Sequence, residues 1–309
     1  MYAGIPYGQF LDTSFCRISV DNVRLKYSYK YKKYNFEKGK AESTIDLYSK
    51  ILDRLFFDGC DVTWHTCDFF KIGNYVRTCS ISGIDPFTGD WSCAVMIGRY
   101  TYDNTCKQVA PEIVFDFNPN KVPADKIAQI ADRLRDGALQ IDVSRYDVAF
   151  DFPIPREHVT LIPNDRQTYK LFRDSVKGVT EYQGERSHHN AMKLYDKTRE
   201  SALKVPVTRC EITVDGEYTK SLEQLFPSLV VLGDLQTDFG FANLPFPVIA
   251  CLTNPELIPV LKSKVDRKTW KKYSDQIATH GHRNLSPDNW QAVDLFVCDR
   301  LAALKGVCA

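Results

Sequence analysis

Three short segments of this chain alternate polar and apolar residues with a period of two, and that pattern leaves little choice of structure. They are Ser144-Arg145-Tyr146-Asp147-Val148-Ala149-Phe150-Asp151, Met192-Lys193-Leu194-Tyr195-Asp196-Lys197 and Thr208-Arg209-Cys210-Glu211-Ile212-Thr213. Period-two alternation belongs to a strand with one wet face and one buried face. On the first segment Arg145, Asp147 and Asp151 share a face, with Val148 and Phe150 opposite. On the second Lys193, Tyr195 and Lys197 do, and on the third Arg209, Glu211 and Thr213. If the three strands pair, carboxylates, a phenol and ammonium groups converge on one polar surface. That is the inventory for metal-assisted attack on a phosphodiester.

The rest of the chain bounds this reading. Its 309 residues suffice for one large domain or two ordinary ones. A composition 44% hydrophobic and 26% charged is that of a soluble globular protein. No apolar run approaches the roughly 20 residues that span a bilayer, and Met1 to Phe10 lacks the pattern of a signal peptide. Ten cysteines without a C-x-x-C pair read as free thiols of a reducing compartment, so the cytoplasm is expected. The net charge of +1 does not advertise nucleic-acid binding, but the distribution of charge does more. From Lys262 to Lys272 six basic residues, Lys264, Lys268 and Lys271 among them, stand against the single acid Asp266. A second basic stretch, Arg24 to Lys33, is interleaved with Tyr27, Tyr29 and Tyr31. Such stretches suit a phosphate backbone and unstacked bases, or equally a solvated helix face or edge strand.

The expected fold is α+β, an antiparallel-sheet core with pseudo-duplicated halves and a helical C-terminal region. Strands are expected within Thr13–Tyr34 and in short runs over 62–117. Helices are expected over Ser43–Phe57, Ala124–Leu139 and Asp165–Val176, and a hairpin over 179–186 and 191–197. Glu112-Ile113-Val114-Phe115-Asp116-Phe117 alternates like the Glu211 strand, which suggests the duplication and adds Asp116 to the carboxylates. Prolines after Leu244 mark a boundary, with a catalytic domain over 1–243 and a helical region over 244–309.

Five segments, in order, resemble the rolling-circle plasmid replication initiators of the Rep_trans type, a family that also includes relaxases of integrative elements. Phe115-Asp116-Phe117-Asn118-Pro119-Asn120-Lys121 is similar to its Glu-Phe-Asn-Pro-Asn-Lys strand end, with aspartate in place of glutamate. Arg145-Tyr146-Asp147-Val148-Ala149-Phe150-Asp151 resembles its Arg-x-Asp-x-Ala-x-Asp strand. Thr180-Glu181-Tyr182-Gln183-Gly184-Glu185-Arg186-Ser187 is similar to its Tyr-x-Gly-x-Arg-x-Ser segment. Lys193-Leu194-Tyr195-Asp196-Lys197 is similar to its Ile-Tyr-Asn/Asp-Lys segment, and Arg209-Cys210-Glu211-Ile212 to its Arg-x-Glu-Ile strand. The likeness spans roughly residues 112–215.

The resemblance implies a bacterial enzyme that nicks a plasmid origin and keeps the strand as a 5′-phosphotyrosine. A conjugative-element relaxase with the same chemistry is the near alternative, and a non-catalytic DNA-binding regulator the distant one. Tyr195 is the expected nucleophile, with Lys193, Lys197 and Arg186 supporting it; Tyr182 is the rival, read instead as a DNA contact. Asp147, Glu211, Asp151 and Asp116 offer oxygen ligands that suit Mg²⁺ or Mn²⁺. Arg145, Arg209, Lys264, Lys268 and Lys271 are the further expected DNA contacts. The implied partners are origin DNA, both the single-stranded nick site and duplex, a second copy in a homodimer, and host helicase and replication machinery, with no membrane.

Overall fold

The structure is a computed structural model that describes residues 10–29, 32–33, 60–66, 75–85, 89–98, 101–103, 108–110, 112–164, 166–185, 189–216, 221–231, 244–254, 256–280 and 283–308. The expected helix over Ser43–Phe57 and Arg186 lie outside them.

The first half contains β1 (Phe10–Asp12), β2 (Arg17–Tyr29), β3 (Lys32–Lys33), β4 (Asp61–Thr66), β5 (Tyr75–Asp85), β6 (Gly89–Gly98), β7 (Thr101–Asp103), β8 (Gln108–Ala110) and β9 (Glu112–Phe117). The second contains β10 (Ala138–Phe152), β11 (Val159–Leu161), β12 (Tyr169–Asp174), β13 (Gly178–Gln183), β14 (Met192–Asp196), β15 (Thr208–Asp215), β16 (Leu229–Val231) and β17 (Arg283–Asn284). One 11-stranded sheet runs β12-β13-β14-β15-β10-β2-β9-β6-β5-β4, with β1 beside β2.

That order bears out the duplication. Each half has one long strand near its start, β2 or β10, and the last strand of each meander, β9 or β15, returns to pair with it. The two long strands pair antiparallel at the centre, joining the halves into one sheet. The chain is thus α+β, as its pattern requires.

One sheet face is apolar because every second residue is. Ile18, Val20, Val23 and Leu25 of β2 and Val148, Phe150 and Phe152 of β10 are all fully buried there. The helix Ala124–Arg135 presents Ile127, Ile130, Ala131 and Leu134 to the core at helical spacing, one amphipathic stripe. It ends at Gly137, whose φ of 82° turns the chain straight into β10. The long helix Trp290–Cys308 packs beside it, with Val293, Val297 and Leu304 in the same core.

Three expectations change. Asp165–Val176 holds not a helix but the edge strand β12, because Tyr169 to Asp174 alternates and pairs with β13. Tyr27 and Tyr29 face the core, so these two aromatics of the Arg24–Lys33 stretch are packing rather than a DNA face, and Tyr31 lies outside the described residues. The helical region after Leu244 divides between two cores. Helices Phe246–Thr253, Leu257–Lys264 and Arg267–His280 enclose a satellite core of Val248, Leu252, Ile258, Trp270 and Ile277, whereas Trp290–Cys308 belongs to the main one.

Candidate active site

Antiparallel register sets the polar face of the sheet in rows, because residues directly opposite each other point the same way. One row reads Lys170, Tyr182, Lys193, Glu211, Ala149 and Ser19 across β12, β13, β14, β15, β10 and β2. On one side of it lies Thr213, Asp147 and Asn22. Beyond that come Arg145, Arg24 and Asp116. On the other side lies Tyr195, Arg209, Asp151 and Arg17. The three segments therefore converge as their alternation predicts.

A pocket of about 300 Å³ opens at the centre, lined among others by Arg24, Arg145, Asp147, Tyr182, Lys193 and Glu211. Gly184 closes one wall. Its φ is +81°, and a Cβ there would lie 3.2 Å from the Asn190 carbonyl oxygen, so glycine serves both the turn and the close approach.

Asp147 is incompletely satisfied on this surface. Thr213 hydrogen-bonds its carboxylate and Arg145 Nη2 lies 3.9 Å from Oδ1. Oδ1 is nonetheless buried without a hydrogen-bond partner among the described residues. Burial pushes the Asp147 pKa up, Thr213 and Arg145 oppose this, and the charges of Asp21 and Asp116 add to it. Glu211 is also pushed up, chiefly by burial, against Lys193 and the hydroxyl of Tyr195. Lys193 Nζ lies 3.8 Å from Glu211 Oε2 and 3.7 Å above the ring of Tyr195.

The other two expected metal ligands are already engaged. Arg209 forks onto Asp151, Nε to Oδ1 at 2.5 Å and Nη2 to Oδ2 at 2.7 Å. Asp116 accepts from Arg24 Nε at 2.6 Å and Asn22 Nδ2 at 3.0 Å. Among the described residues no group of three or more His, Cys, Asp and Glu side chains is gathered closely enough to hold a metal. What faces the pocket is a pair, Asp147 and Glu211, with one oxygen orphaned.

Tyr195 differs most from expectation. Only 4% exposed, it donates its hydroxyl to Glu211 Oε1 at 2.6 Å. Burial first, and then the charge of Glu211, drive its pKa above the ordinary phenol range, outweighing Arg209. Its phenolate is disfavoured, the reverse of what flanking lysines suggested. Lys197 is no part of the strand face, because β14 ends at Asp196 and Lys197 starts a short helix where its ammonium pairs with Glu200. Tyr182 is half-buried and borders the pocket, between Lys170 and Lys193 in its row.

Among the expected DNA contacts, Arg145 lines the pocket, while Arg209 is 8% exposed and held by Asp151 and Asp21. Lys268 and Lys271, with Arg166 and Arg267, line a larger groove of about 700 Å³ that shares Met192 with the pocket. Lys264 is exposed outside that groove. Trp270 Nε1 donates to the Pro163 carbonyl at 3.1 Å and Lys262 Nζ to that of Asn164 at 2.7 Å, fixing the helices against this edge of the sheet. Lys170 was missed because its segment reads as a helix, although the run Tyr169-Lys170-Leu171-Phe172 carries the alternation.

Neither a family model nor a curated protein matches the chain. Among solved structures it is similar to a rolling circle replication initiator protein from Geobacillus stearothermophilus, at 13% identity and a TM-score of 0.33 over 87% of this chain and 99% of that one. A likeness of that strength says nothing about chemistry.

Proposed function

We propose that this chain is a DNA strand transferase that nicks one strand at a plasmid origin to begin rolling-circle replication, acting in the bacterial cytoplasm. The observation that carries the reading is one open pocket that gathers Tyr182, Lys193 and Glu211 beside Asp147, with Lys170 opposite Tyr182 in register on the edge strand. A tyrosine flanked in register by two lysines, next to two carboxylates, has what a phosphodiester needs for in-line attack.

We assign the attack to Tyr182. A phenol is a poor nucleophile until neighbouring groups assist it and offset the charge that develops at phosphorus. Lys170 and Lys193 flank Tyr182 from both neighbouring strands, whereas Tyr195 is buried against a carboxylate. In the step, the Tyr182 oxygen bonds to phosphorus and the bond from phosphorus to the 3′ oxygen breaks. The proton lost by the phenol is balanced by the one the 3′ oxygen gains. Ester is exchanged for ester, so religation remains possible. Arg24, Arg145 and Lys193 face the same pocket and offset the charge on the non-bridging oxygens.

The pocket suits a hard cation. The orphaned Asp147 Oδ1 and the Glu211 carboxylate would hold Mg²⁺ or Mn²⁺, and two carboxylates completed by substrate oxygens and water are the usual protein share of such a site. When bound, the ion would polarise the scissile phosphate. Glu211 and Asp147 would position it, and Tyr195 holds Glu211.

The test is a supercoiled plasmid carrying the cognate origin, incubated with the protein and Mg²⁺. Nicked circle with protein attached, and an adduct mapped to Tyr182 by mass spectrometry, is the expected result. A Tyr182→Phe variant that still forms the adduct, on Tyr195, overturns the assignment. Absence of any adduct with an intact protein leaves only a DNA-binding regulator.

A further inference from the structure

We propose that Phe172, with Lys170 beside it, forms a stacking seat for an unpaired nucleotide adjacent to the scissile phosphate; this rests on the strand-transfer reading above. Phe172 is a large apolar side chain on the polar face of the sheet, two residues from Lys170 on the edge strand β12, and it is 54% exposed. Core packing does not explain it. Its ring stands edge-on to that of Tyr182, with centroids 5.5 Å apart at 88°. That contact leaves ring surface turned to solvent, diagonal to the tyrosine across the β12–β13 ladder.

Charge points to the occupant. Lys170 and Lys193 bracket Tyr182 in the row, and both are outside the core. An aromatic face beside cations is how single-stranded nucleic acid is held, bases stacking while ammonium groups follow the phosphates. The seat lies at the sheet edge, where among the described residues no further strand of the main sheet follows β12. A strand entering across that edge would reach Phe172 before Tyr182. Stacking its base there would splay the backbone and present the neighbouring phosphate to the phenol.

The test measures binding of a short fluorescein-labelled thymidine oligonucleotide, and of a fully abasic strand of equal length, by fluorescence anisotropy. Phe172→Ala should weaken thymidine binding on the order of tenfold and leave abasic binding unchanged, with Phe172→Trp restoring it. Lys170→Gln should weaken both strands. If Phe172→Ala binds the thymidine strand as the parent does, or loses both strands alike, the seat is overturned. A dimer in the parent that becomes a monomer in Phe172→Ala, with thymidine affinity unchanged, would instead make this edge a contact between copies. If the parent binds neither strand, it is the strand-transfer reading that fails, not the seat alone.

Discussion

The Tyr195 hydroxyl donates to Glu211 Oε1 at 2.6 Å, so the tyrosine with the most suggestive sequence setting is tied to a carboxylate of the pocket. The bond changes what Tyr195 is for. It orients Glu211 toward the pocket and opposes the rise in the Glu211 pKa that burial causes. Tyr195→Phe should fold, bind DNA and still form the adduct. With the stabilising donor gone, the Glu211 pKa rises further, so ionised Glu211 is reached only at higher pH. The acid limb of the pH–rate profile should therefore move upward in Tyr195→Phe, and single-turnover nicking across pH measures it. An unmoved acid limb would remove Glu211 from the rate-limiting ionisation.

Asp147 and Glu211 share a cation site in this reading, so their neutral variants should act alike. Asp147→Asn and Glu211→Gln should each raise the Mg²⁺ needed for half-maximal nicking by on the order of tenfold or more. Asp151→Asn should act differently, because Asp151 serves Arg209. Removing that carboxylate leaves a buried guanidinium without its fork, at a cost of about 3–5 kcal/mol in stability. Metal titration alongside thermal melts separates the two classes.

Burial at Asp147 also predicts a stability signature that does not depend on activity. Its folded pKa is raised, so the folded state binds a proton more readily than the unfolded chain does. The stability this contributes is present below the ordinary carboxylate pKa and is lost as pH rises through the folded value. In metal-free buffer, Asp147→Asn should raise the melting temperature at neutral pH by a few degrees. The gain should vanish in acid, where the parent is protonated as well. A variant less stable than the parent at pH 7 would mean that Arg145 and Thr213 outweigh the burial of the charge.

Much of this site was legible because β structure converts alternation into shared faces. Arg145, Asp147, Glu211 and Lys193 reach one pocket as their spacing requires, and the likeness between the β9 and β15 segments survives as a repeated topology. Tertiary pairing decided the rest. Residues 165–176 fit both a helix and a strand pattern, and only the partner β13 selects the strand that delivers Lys170 and Phe172. The polar face was predicted for Tyr195 correctly, but not its depth beneath Glu211 and Lys193, since exposure within a face depends on what neighbouring strands lay over it. Arg209 and Asp151 stand directly opposite each other in register and neutralise each other, which no single strand reveals.

The groove lined by Arg166, Arg267, Lys268 and Lys271 continues from the Asp147–Glu211 pocket through Met192, and its cations outnumber its single acid, Asp275. A polyanion passing the pocket would extend along it. Each phosphate neutralised contributes a salt dependence of about 0.9 log units per log unit of salt on duplex DNA. Replacing Arg267, Lys268 and Lys271 by glutamine should therefore weaken binding of origin duplex and flatten its salt slope by up to about 3 units. Lys264, exposed but outside the groove, is the internal control, and Lys264→Gln should leave the slope nearly unchanged. Cleavage of a short single-stranded nick-site oligonucleotide should fall much less in the triple variant, because the Tyr182 row is intact. Anisotropy titrations at several salt concentrations decide the matter. An unaltered slope in the triple variant would reduce the groove to a solvated helix face, and an altered slope in Lys264→Gln would place the DNA on the outer side of the helices instead.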